Sequence, residues 1–248
     1  MNPFADLPKD TGDIGGDEDR LGGSFIWPSG AFEVTIKNAY SGKAGSGAKS
    51  MTFEVEDVTG KRLRWTEYVT SGDAKGGLPY YEKDGKKNYL PGYNIANAIC
   101  ILASKKGLGD QTWETKQVKI YNKDTKSEVP TPTPVAVDLI GKKVILGVLE
   151  VETNKSIKVG NAYKRTAETK KENRVDKIFY LDNKCTLKEL VDAKKASKEP
   201  VAAFYDQWVE ANDGKVKNDV KAAEVQATQG GAAAPTGADG AEVDSLFD

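Results

Sequence analysis

Between residues 30 and 69 apolar and polar side chains alternate in three successive runs, and a period of two confines this part of the chain to half-buried β-strands. Phe32, Val34 and Ile36 alternate with Glu33, Thr35 and Lys37, and Met51, Phe53 and Val55 with Thr52, Glu54 and Glu56. In the third run Leu63, Trp65, Glu67 and Val69 share one face, and Arg62, Arg64, Thr66 and Tyr68 the other. The connection SGKAGSGAK at 41–49 and the turn at Thr59 and Gly60 are short, so an antiparallel meander is expected. Gly42, Gly47 and Lys49 resemble part of a phosphate-binding loop, but Ala48 breaks the spacing and a strand follows where that motif needs a helix.

Further along, Ile95, Ala98, Ile99 and Leu102 recur at helical spacing, with Asn94 as the expected N-cap and Gly107 as the stop. Val118 and Ile120 mark a strand, followed by a loop punctuated by Pro130, Pro132 and Pro134. IGKKVILGVLEVE at 140–152 is the most apolar run and rich in β-branched residues, as suits a central strand. Residues 153–172 read as a long basic hairpin carrying Lys155, Lys158, Lys164, Arg165, Lys170 and Lys171, with Val175, Ile178 and Tyr180 as a closing strand. Thr186 with Glu189 fits a capping box, and Pro200 a first helical position before Val201, Phe204, Tyr205 and Trp208.

Five or six antiparallel strands with a helix after the third is the element order of an OB-fold barrel. The expected fold is therefore mainly β: an OB-fold-like antiparallel β-barrel with an intervening helix, short C-terminal helices and disordered acidic termini. Residues 1–24 read as a flexible acidic arm, 25–182 as the OB-fold-like domain, 183–213 as a helical extension and 214–248 as a disordered linker and acidic tail.

The stretch 61–106 interleaves six aromatics (Trp65, Tyr68, Tyr80, Tyr81, Tyr89, Tyr93) with nine bases and only four acids. Flat rings can stack on unpaired bases while cations such as Arg62, Arg64, Lys75, Lys83, Lys86 and Lys87 neutralise the intervening phosphates. The same residues could instead be a strand, a solvated loop and a packing helix with tyrosines as half-buried anchors. Trp65, on the face of Leu63 and Val69, is the ring best suited to a core, whereas Tyr68 lies with Arg62 and Arg64.

Charge favours the nucleic-acid reading. The whole chain carries −1, but residues 1–24 hold six acids and two bases, and residues 231–248 hold four acids and no base. The body between them has 34 bases and 27 acids, a net charge of +7, which suits a polyanionic ligand. Histidine is absent, which removes the commonest general base and zinc ligand, and no carboxylates stand in a recognisable catalytic spacing. An enzyme is not expected, nor any cofactor or metal. Cys100 and Cys185 are too few and too far apart to argue a disulfide framework or metal cluster. No apolar run approaches a membrane span and MNPFADLPKD lacks a signal-peptide layout, so a soluble protein without a membrane partner is expected.

The segments GAFEVTIKNAYSGKAGSGAKSMTFEVE, LPYYEKDGKKNYLPGYNIANAICILA and VPTPTPVAVDLIGKKVILGV, together with the terminal SLFD, resemble phage-encoded single-stranded DNA-binding proteins of tailed bacteriophages. The resemblance covers roughly residues 25–182 and the last few residues. It implies an OB-fold replication protein that coats and protects unwound DNA during replication, recombination and repair, in the cytoplasm of an infected bacterial host. It also implies an acidic tail that docks replication and recombination partners, here through Asp239, Glu242, Asp244, Leu246, Phe247 and Asp248. The tail departs from the family pattern, because Phe247 is penultimate and only four acids follow Gly231. Its acids could also occupy the basic groove transiently and be displaced by DNA. A recombination or strand-annealing factor would use the same chemistry in rings or filaments, and a non-catalytic structural or assembly module would bind no DNA. The sequence leaves self-association open.

Overall fold

The computed structural model describes residues 25–122, 125–160 and 162–225. The acidic arm at 1–24, most of the tail and its six named docking residues lie outside the described residues. Strands β1 (Gly30–Lys43), β2 (Lys49–Asp57) and β3 (Arg62–Tyr68) form the expected meander, each antiparallel to the next. Val34, Ile36, Met51, Phe53, Val55 and Trp65 point into the main core. A bulge between Ile36 and Asn38 reverses the parity of β1, so that Ala39 faces the core and Tyr40 passes to the other side of the sheet.

The central strand, the basic hairpin and the closing strand of the sequence reading are one continuous hairpin. Strand β8 (Lys143–Val159) pairs with β9 (Ala162–Phe179) along nearly its whole length, and its first half also pairs with β1. Val144, Leu146 and Val148 enter the main core, while Ile145, Leu149 and Val151 lie beneath a helix on the other face. Burial on both faces explains why this run is apolar without alternation.

Beyond Val148 the edge of β8 that β1 occupied is taken by β10 (Val216–Asn218), parallel and opposite Glu150 to Glu152. The stretch expected to be linker from 214 therefore begins as part of the sheet. It is held by the Ser29 hydroxyl donating to the Lys215 carbonyl, and by the Asn154 side chain, which bonds both the N–H and the carbonyl of Lys221. Glu224 ends the clasp on Arg165 at 2.9 Å.

The proline-punctuated segment is a strand rather than a loop. Strand β7 (Ser127–Ala136) pairs antiparallel with β6 (Trp113–Asn122), and each proline sits opposite a β6 residue: Pro130 with Lys119, Pro132 with Gln117, Pro134 with Thr115. Because every second residue of an antiparallel pair donates nothing across the ladder, three prolines two apart cost it no hydrogen bond. This wing folds over the outer side of the meander, where Val118 and Val135 bury Tyr40.

Helix α1 (Pro91–Ser104) starts and stops earlier than expected: Leu90 is the N-cap with Pro91 in the first turn, and Lys105 in the left-handed region ends it. Pro91 lacks the N–H that a helix start leaves unpaired in any case, which is why it, rather than Asn94, sets the boundary. The helix buries Ala96, Ile99, Cys100 and Leu102 and packs against β3, β8 and β9. Helix α2 (Leu187–Lys195) has the expected Thr186–Glu189 capping box. Helix α3 (Ala203–Asn212) begins three residues after Pro200, with Ala202 as its N-cap, and lays Trp208 on β8.

The chain is thus mainly β around an antiparallel sheet. Among the described residues no ladder joins β3 to β9, so the sheet stays open where a barrel would close, and α1 lies across that opening. No helix among the described residues is long and apolar enough to cross a membrane.

Candidate nucleic-acid interface

The tyrosine-rich segment, read from the sequence as a loop, is a separate hairpin of β4 (Tyr80–Lys83) and β5 (Lys86–Tyr89). Its two-residue turn is Asp84-Gly85, both with positive φ (53° and 69°), the geometry whose twist matches paired strands. Asp-Gly between two such runs was the signal that could have revealed it. Pairing puts Tyr80 opposite Tyr89 and Glu82 opposite Lys87 on one face, and Tyr81 opposite Asn88 and Lys83 opposite Lys86 on the other.

The first face carries a chain of rings. Tyr80 meets Tyr89 edge-on at 5.6 Å, and Tyr89 stacks on Tyr93 of α1 at 5.1 Å and 21°. Lys87 Nζ lies 4.5 Å over the Tyr80 ring, and its hydrogen bond with Tyr80 raises the ammonium pKa above its ordinary value. Tyr89 remains 45% exposed and Tyr81 50%, which leaves ring faces open to a ligand. Tyr93 reaches the hairpin because Gly92 lets α1 approach β3 closely: a Cβ there would stand 2.3 Å from the Tyr68 carbonyl oxygen.

The structure thus brings Tyr80, Tyr81, Lys83, Lys86, Lys87, Tyr89 and Tyr93 together, with Tyr68 half-buried at the end of β3 against α1. Lys75 is exposed in a short 3-10 turn, Asp73–Lys75. Trp65 does not join them: it is 8% exposed and stacked on Phe53 at 5.2 Å, a core residue. Arg62 and Arg64 face outward but are engaged by carboxylates across the ladder. Arg62 meets Glu56 at 3.0 Å; Arg64 donates to the Tyr40 hydroxyl at 2.6 Å and lies 3.5 Å from both Glu54 and Glu128. Arg64 therefore ties the meander to the wing.

Lysine pairing separates candidate ligand contacts from structural ones. Lys155 meets Glu168, and Lys171 meets Glu150. Lys83 and Lys86 instead face each other, and neither makes an ion pair among the described residues. Like charges directly opposite destabilise a hairpin modestly, and a bound anion would relieve that repulsion. The same arrangement recurs where sequence reasoning named no site residue, at Lys43 opposite Lys49 on the tip of β1 and β2. On the far end of the long hairpin Lys158 stands opposite the exposed Tyr163, with Lys164 next to it. Among the described residues no group of three cysteine or carboxylate side chains converges as metal ligands.

Glu67 is the one acid with a strongly raised pKa near this site, at about 7; burial raises it, and the nearby Trp65 indole lowers it by less. Its carboxylate lies against the first turn of α1 at Gly92. A carboxyl with a folded pKa above its unfolded value of about 4.3 binds more protons when folded, so its contribution is fully present below about pH 4 and lost as pH rises through 7. Glu67→Gln is expected to flatten the fall in stability between pH 5 and pH 8, by up to about 3 kcal/mol at the upper end. Urea unfolding at the two pH values measures it, and an unchanged slope in the variant would refute the assignment.

Compared with protein-family models and with curated proteins, the chain matches none.

Proposed function

We propose that this protein is a sequence-tolerant single-stranded DNA-binding protein, with the β4–β5 hairpin and its neighbouring helix as the principal contact. The carrying observation is a short hairpin of two four-residue strands with Tyr80, Tyr89 and Lys87 on one face, Tyr89 stacked on Tyr93, and Tyr81 with the facing Lys83 and Lys86 on the other, these two lysines having no ion-pair partner among the described residues. Exposed Tyr89 on one face and Tyr81 on the other stack on bases, and the lysines beside each contact phosphates as the strand passes round the hairpin. The order of β1, β2, β3, α1, β8 and β9 supports an OB-fold-like reading of the open sheet, in which β8 and β9 form the last hairpin. In keeping with the sequence resemblance, the role would be to coat unwound DNA during phage replication and recombination, with the tail recruiting partners.

Anisotropy of labelled oligo-dT and of a duplex of the same length, at two salt concentrations, tests this. Binding should favour the single strand and weaken with salt at a log–log slope of about −0.7 per phosphate contacted. Tyr89→Ala should cost about 1 to 3 kcal/mol of binding with the fold intact. Equal affinity for duplex, or none for either DNA, would remove the proposal.

A further inference from the structure

A cleft of about 560 Å³ opens between the tip of β1–β2 and the wing, with Lys43 and Lys49 on one wall and Ile120, Pro132 and Pro134 on the other. Its volume lies within the range of roughly 300 to 1,000 Å³ that holds small ligands. The two walls differ in chemistry. Lys43 and Lys49 are direct cross-strand neighbours; Lys43 meets Asp73 at 3.5 Å, and Lys49 has no ion-pair partner among the described residues. The opposite wall offers exposed proline rings, which turn C–H surface and no N–H toward the cleft.

The tip is also coupled to the tyrosine hairpin by the chain between them. Lys49 bonds Thr70 and Val69, Asp73 N–H donates to the Ser46 carbonyl at 2.8 Å, and Ser71 N–H donates to the Leu78 carbonyl just before β4. Exposed Lys75 lies on this connection. Cations therefore run from the hairpin to the cleft along one continuous stretch of backbone.

We propose that the cleft is a second contact for the same DNA strand, taking a phosphodiester between Lys43 and Lys49 and an unpaired base against Pro132 and Pro134. This rests on the single-strand-binding reading. A phosphodiester relieves the repulsion between the facing lysines, and the proline rings accept any base through C–H contact, the Thr133 hydroxyl between them being engaged by the Thr131 carbonyl. A short oligomer fills the hairpin site alone, whereas a longer one reaches both.

The test uses the full chain with oligo-dT of about 5 and about 20 nucleotides, lengths that bracket the site sizes of single-strand-binding folds. Lys43→Ala/Lys49→Ala should bind the longer oligomer about tenfold more weakly, with a salt slope shallower by about 0.7 for the one lost phosphate. Its affinity for the shorter oligomer should equal the wild type's, whereas Tyr89→Ala weakens both. Lys49→Gln, with circular dichroism and thermal melting, guards against misfolding of the double variant and should flatten the slope in the same direction, by at most about 0.7. If the folded double variant keeps wild-type affinity and slope on the longer oligomer, the cleft is no DNA site, although the hairpin reading stands. If the wild type binds neither oligomer, both readings fall. If poly-glutamate binds with the same lysine dependence and oligo-dT does not, the cleft takes an acidic protein segment and this assignment is overturned.

Discussion

Trp65→Ala is expected to lower unfolding stability by about 3 to 5 kcal/mol while leaving the affinity of the folded fraction for single-stranded DNA unchanged. The indole is buried, lies directly across the ladder from Phe53 and stacks on it, between two strands whose inner residues fill the main core. Truncation leaves a cavity that Met51, Val55 and α1 cannot close without moving the sheet. Tyr89→Ala should give the opposite pattern, since that ring is half-exposed and packs against the rings of Tyr80 and Tyr93 at the surface. Urea melts paired with DNA titrations separate the two residues. A Trp65→Ala protein of near-normal stability that no longer binds would move Trp65 from the core to the interface.

Trp208→Ala should be comparably destabilising, by about 3 to 5 kcal/mol, through a different part of the molecule. Trp208 is 4% exposed, joins Phe179, Leu149 and Val151 on the outer face of β8, and donates its indole N–H to Asp176 at 2.8 Å. Its ring fits because position 147 is glycine: a Cβ there would meet the indole at 2.9 Å. Gly147→Ala alone should therefore destabilise, by about 1 to 3 kcal/mol. In the Trp208→Ala background the same change should cost less, because the clashing ring is gone and the Lys177 Cβ, 3.2 Å from the added methyl, is the close contact that remains. Additive losses in that double-mutant cycle, measured by urea unfolding, would show that the glycine is not there for the tryptophan.

Much of this arrangement can be read in the sequence, and what escapes does so for identifiable reasons. The meander β1–β3 is legible because the face of each strand turned away from the main core carries mostly polar side chains, which leaves an alternating record in Phe32 to Lys37 and Met51 to Glu56. The α2 capping box is legible because its two partners are three residues apart. Strand β7 is not, since proline reads as a breaker unless the register is known, and register depends on β6. Strand β10 has three residues and no pattern; it is held by Ser29 and Asn154, which lie far away in sequence. At the site, the mixture of tyrosine and lysine identifies the hairpin region, and alternation separates Trp65 from the other rings. Which cations are engaged could not be read: Arg62 and Arg64 look like the best phosphate contacts until the ladder sets Glu56 and Glu54 opposite them. The Lys43–Lys49 pair emerges only when β1 and β2 are in register.

The prolines of β7 have one more effect, on what the protein does to its own copies. Apart from the single pairing of Val135 with Tyr40, the edge of β7 that faces away from β6 is unpaired among the described strands. An open edge is a template on which a strand of another molecule can add, the first step of domain swapping or aggregation. The residues of β7 whose N–H groups would point outward there alternate along the strand, and the three in its middle are Pro130, Pro132 and Pro134, which have none. With three successive donors missing, the middle of that edge is a poor template for a further strand. Under the proposed role, copies lying side by side on one DNA strand would bring such edges close together, and the missing donors would discourage one sheet from adding to the next.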